Sequence, residues 1–148
     1  MIIALLLFFP SYFTNFDSTS LEYKTIVKET ERMGIERVVA NSINGWNNSF
    51  GYIDTDYRIY VPVKEGVSHL SRSFRHEVGH SFYNLYELDK NIIWTGAKKP
   101  YINDYAKKND EEYFAEAFAF FHSKKYDGRF ENDLEELFIT LIKNHNKQ

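Results

Sequence analysis

The sequence predicts an α+β fold: a small mixed or antiparallel sheet packed on an active-site helix and followed by C-terminal helices. Three observations lead there. β-Branched and alternating apolar residues gather between Ile35 and Val63. Helical periodicity occupies Leu21 to Met33 and most of the chain after Ser68. Strand-like and helix-like segments are grouped after the first helix, the pattern of segregated layers.

Each element has its own signal. Ile2 to Phe9 is an unbroken apolar run closed by Pro10. It is far short of the ~20 residues a helix needs to cross a bilayer. Its length suits a secretory signal core, but the first cation is Lys24 and no small-x-small cleavage site follows. Residues 1–20 therefore read as a signal-like segment or as a first buried element, with the domain over 21–148. Asp17-Ser18-Thr19-Ser20 offers N-caps. Tyr23, Ile26, Val27, Thr30 and Met33 follow at near-helical spacing, and Gly34 is a natural stop.

Ile35 to Ala40 reads as a strand and Asn41 to Ser49 as turn chemistry. Phe50 to Val63 reads as one or two alternating strands, with a hairpin turning at Asp54-Thr55-Asp56. Pro62 cannot donate to a ladder, which puts this stretch at a sheet edge. Ser68 caps a helix expected to run to about Asp89, with Leu70, Phe74, Val78 and Leu85 as its apolar stripe. Asn91 to Tyr105 is a long loop with a short irregular element. Asn109 or Asp110 opens a helix to about Lys125, and a last amphipathic helix spans about Asn132 to Asn144.

Composition narrows the function. The chain has 148 residues, 43% of them hydrophobic and 18% aromatic, which excludes disorder as its overall class. A formal net charge of −3 gives no global basic field for nucleic acid. There is no cysteine, which excludes disulfides, Cys-ligated zinc, iron–sulfur clusters and a thiol nucleophile.

The chemistry concentrates in His76-Glu77-Val78-Gly79-His80, an H-E-x-x-H pentad within a predicted helix. Residues i and i+4 share a face, so both imidazoles reach one ion, while Glu77 points to a water beside it. Gly79 sits mid-helix at a cost of about 1 kcal/mol relative to Ala, and such a glycine permits close packing. Without cysteine, a third ligand is a downstream His, Asp or Glu. Glu112 and Glu116 share one helical face among Phe114, Phe118 and Phe121, where carboxylates are costly unless paired or metal-bound.

This pentad, followed by Asn109-Asp110-Glu111-Glu112-Tyr113-Phe114-Ala115-Glu116-Ala117-Phe118, resembles the catalytic domain of anthrax lethal factor and the small secreted Pro-Pro endopeptidases of the same zincin family. The likeness covers about Phe74 to Ser123. It implies a zincin-like domain and a toxin-like zinc metalloendopeptidase acting on a peptide or protein substrate. The apolar run at Ile2 to Phe9 gives secretion as the expected address, with the cytoplasm as the alternative, and a monomer without an integral membrane span is expected. The likeness further implies His76, His80 and Glu112 as zinc ligands, Glu77 as general base, Glu116 as holder of a ligand histidine, and Tyr105 as oxyanion donor. Tyr101 is the competing tyrosine. The delivery and recognition domains of lethal factor have no counterpart in these residues, so entry into host cells by that route is not implied. The edge near Tyr57 to Val63 is expected to take the peptide as an added strand.

Two other readings compete. The ImmA/IrrE-like peptidases, cytoplasmic regulators, also pair the pentad with a Glu-x-x-Ala helix, but typically carry Glu-Ala-Asn where this chain has Tyr113-Phe114. A non-catalytic, zinc-stabilised binding module needs a fourth protein ligand, for which His69 and His122 are the histidines at hand.

Overall fold

The structure is a computed structural model. It describes residues 19–36 and 69–147 with their side chains, and the backbone of residues 12–14, 38–43 and 59–64. The signal-like run, the Asn44–Ser49 turn residues, the hairpin at Asp54-Thr55-Asp56, Tyr57 and the Ser68 cap lie outside these residues.

The elements in chain order are strand β1 (Tyr12–Thr14), helix α1 (Leu21–Met33), strands β2 (Val38–Ile43) and β3 (Ile59–Lys64), then helix α2 (Leu70–Leu85). Helices α3 (Ile92–Gly96), α4 (Asp110–Phe121) and α5 (Asn132–Asn146) follow, with one-turn 3-10 helices at Leu88–Lys90 and Tyr105–Lys107.

The predicted α+β class is corrected here. Among the residues whose side chains are described, every member of the buried core except Ile35, which directly follows α1, lies on a helix or on a short connection between helices, so the described packed body is helical. Among the described residues no antiparallel pairing forms. The three short strands run in the order β1-β2-β3 and pair only in parallel, Val39 opposite both Tyr12 and Tyr60. Parallel neighbours need a crossover rather than a tight turn, and α1 supplies the one between β1 and β2. Pro62 falls on β3, an outer strand, where its missing N–H is tolerated.

The helix ends follow local chemistry. Ser20 accepts a hydrogen bond from the Tyr23 amide, and Gly34 closes α1 in the left-handed region at φ 78°. Asn91 and Asn109 cap α3 and α4 by accepting from the amides of Trp94 and Glu112. Helix α2 stops at Leu85, four residues before the predicted end. Glu87 turns into the left-handed region at φ 48°, and Leu88 then folds back fully buried. Helix α4 ends at Phe121 rather than near Lys125, with His122 as its C-cap.

The core is largely aromatic. Phe74 and Phe82 of α2, Trp94 of α3, Phe114 and Phe118 of α4 and Phe138 of α5 are all fully buried. Phe82 and Phe118 lie 5.4 Å apart, and Phe114 and Phe138 5.6 Å apart, between ring centroids. Asp110 ties the start of α4 to its neighbours, accepting from the Tyr83 hydroxyl at 2.7 Å and the Trp94 indole at 2.9 Å.

Gly79 sets the approach of α2 to α4. A Cβ at this position would stand 2.9 Å from the Ala115 Cα and 3.2 Å from the Ala115 carbonyl oxygen. The obstacle is backbone, so it cannot swing aside. Gly79→Ala should therefore destabilise the protein despite a helix-propensity gain of about 1 kcal/mol, because overpacking costs about 1–3 kcal/mol. Urea denaturation of the two proteins checks this; equal or greater stability of the variant would refute it.

Candidate metal centre

The α2–α4 contact brings the pentad against the carboxylates of the second motif. His76 and His80 lie one turn apart on α2, and their Nε2 atoms approach to 2.9 Å. Glu112, in the first turn of α4, reaches across. Its Oε2 is 3.1 Å from His76 Nε2 and its Oε1 is 3.1 Å from His80 Nε2. One ligand atom from each of the three side chains fits within a mutual span of 4.8 Å, so these three residues could hold a metal ion.

Each imidazole is held from behind. His76 Nδ1 faces Glu116 Oε2 at 3.4 Å, and His80 Nδ1 faces Glu111 Oε2 at 2.6 Å. Glu116 is itself anchored through Oε1, which accepts from Arg72 at 2.6 Å and from Asn103 at 3.3 Å. A carboxylate facing Nδ1 favours the tautomer with its N–H there and leaves the lone pair on Nε2. Both Nε2 lone pairs then converge with the Glu112 carboxylate, whose buried Oε2 has no hydrogen-bond partner. So many lone pairs around one point repel unless a cation sits among them. The donor set fits a divalent ion. Two imidazoles and one carboxylate, with no thiolate, are the protein ligands of one class of catalytic zinc site.

The electrostatics show that the carboxylates draw positive charge to this point. Burial works against a charged His76, but the hydrogen bond and charge of Glu116, with Glu77 and Glu112, hold its pKa above the usual imidazole value. Burial raises the Glu77 carboxyl above its ordinary range, and the two histidines offset only part of this. Burial would also raise Glu116, but His76 and Arg72 bring it below its ordinary value.

Tyr105 and Tyr101 separate clearly. The Tyr105 ring lies 5.8 Å from the His76 ring between centroids. Its phenol pKa is raised first by burial, then by the negative charge of the nearby Glu112 carboxylate. Tyr101 instead donates to Asp104 at 3.0 Å. His69 is exposed before α2. His122 packs on Phe118 and Phe121, and burial with the nearby Arg75 cation lowers its pKa to about 4. Neither histidine belongs to the converging group.

Sequence reasoning missed three supporting residues: Glu111, Arg72 and Asn103. Arg72 had a readable signal, since it lies four residues before His76 and so shares its face. The Glu111–His80 pair depends on how two helices cross and had none. No family model, curated protein or solved structure matches the chain, and the site stands on its own residues.

Proposed function

We propose that this chain is a zinc-dependent metalloendopeptidase. One observation carries the reading: two imidazole nitrogens and one carboxylate converge, and each imidazole is oriented from behind by a different carboxylate. His76, His80 and Glu112 would hold the zinc. Zinc there would supply Lewis acidity, acidifying a water and polarising the scissile carbonyl.

The chain's own residues do the rest. Glu77 lies in the pentad beside both histidines without belonging to the ligand group. From there its carboxylate could take a proton from the attacking water and pass it to the leaving amine. Glu116 and Glu111 fix the two imidazole planes and raise their basicity. Tyr105 offers a neutral donor to the oxyanion of the scissile carbonyl. Strand β3 lies outermost in the strand order, where a peptide could pair with it. No helix among the described residues is long and apolar enough to cross a membrane. Secretion and a monomeric state belong to this proposal.

Zinc-dependent cleavage of a mixed peptide library tests the reading, with metal chelation as the control. Tyr105→Phe should lower kcat by about 10²–10³, the usual loss for one oxyanion donor, with little change in KM. The ring remains, which isolates the hydroxyl from packing. Near-parental kcat in that variant, with loss in Tyr101→Phe, would give the role to Tyr101 instead.

A further inference from the structure

A cleft of about 740 Å³ runs between α1, the start of α2 and the end of α4. Seven basic side chains line it against two acidic ones, in a chain whose net charge is −3. Both acids are already matched, Glu29 by Arg75 at 2.8 Å and Glu116 by Arg72 at 2.6 Å. The side chains of Lys28, Arg32, Lys124 and Lys125 have no ion-pair or hydrogen-bond partner among the described residues. Unmatched like charges gathered in one concavity repel one another and focus a positive potential there.

We infer that this cleft binds an acidic stretch of the substrate peptide, to one side of the bond that is cut. The inference rests on the protease reading above. Glu116 lines the cleft and also faces His76, so the cleft adjoins the metal centre directly. Three of the four unmatched cations are lysines, compact charges on flexible stems that suit carboxylates arriving without a fixed geometry. A peptide can place its acids in the cleft and a neutral segment at the centre. A nucleic-acid backbone, charged at every unit, would bring negative charge onto Glu77, Glu111 and Glu112.

The test uses the intact, zinc-loaded chain and a fluorescein-labelled hexaglutamate, with hexaglutamine as the control. Anisotropy should show binding of hexaglutamate alone, weakened at least about tenfold between about 50 and 500 mM NaCl. The quadruple variant K28Q/R32Q/K124Q/K125Q should bind at least about tenfold more weakly at the lower salt. In a peptide library, the parent should cleave sequences with acids on one side fastest, and the variant should lose that preference. Equal hexaglutamate binding by parent and variant would overturn the inference, as would tighter binding of a hexanucleotide. Library cleavage without acidic preference overturns it while leaving the protease reading standing. Hexaglutamate binding with no library cleavage overturns the protease reading, and the role in substrate selection with it.

Discussion

Glu77→Gln should abolish peptide hydrolysis while one zinc stays bound. The amide keeps the size of the carboxylate and removes its basicity, so kcat should fall by about 10²–10⁴, the usual share of general acid–base catalysis. Zinc should remain, because the converging ligand atoms belong to His76, His80 and Glu112. Burial already disfavours the charged form of Glu77, so the neutral amide costs the fold little. Metal analysis beside a turnover assay checks both halves. Joint loss of metal and activity would make Glu77 a ligand.

Arg75→Met should destabilise the protein by about 3–5 kcal/mol, the usual cost of leaving one partner of a buried ion pair uncompensated. Arg75 Nη1 bonds Glu29 Oε2 at 2.8 Å, and both side chains are more than nine-tenths buried. Arg75 Nε also donates to the Ala119 carbonyl at 3.0 Å, so this residue ties α1, α2 and α4 together. Removing the guanidinium leaves the buried Glu29 carboxylate without the ion-pair partner it has in the parent. The double variant Glu29→Met with Arg75→Met removes both charges and should recover most of the loss. Urea midpoints of the three proteins measure this. A double variant as unstable as the single one would show that shape, rather than charge, sets the cost.

Local features of this chain were legible and distant ones were not. Ser20, Gly34 and Asn109 act within one turn of their own helices, so their caps could be read directly. The His76–His80 pairing is equally local, set by the 3.6-residue period alone. Strand direction was not readable. Alternation shows which residues share a face but not which neighbour a strand pairs with or in which direction, and β1, β2 and β3 pair in parallel where a mixed or antiparallel sheet was expected. The end of α2 was misplaced because the apolar spacing runs on through Leu88, which packs from a separate turn instead.

The candidate site divides along the same line. Glu112 and Glu116 were visible as a pair, and the resemblance gave each its implied role. Their separate positions, one between the two Nε2 atoms and one behind His76, come from the Gly79–Ala115 contact that sets the helix approach. Gly79 was readable as a packing glycine, but its partner was not. The cationic cleft was invisible for the same reason, since Lys28 and Lys124 meet only in the folded chain.

The most direct test of the account is the zinc content of the purified protein beside that of His76→Ala, after equilibration in buffer with limiting zinc. One zinc per parent chain and none retained by the variant are expected, because two of the three ligands cannot hold the ion against competition. A variant that holds zinc as well as the parent would contradict the assignment of this site.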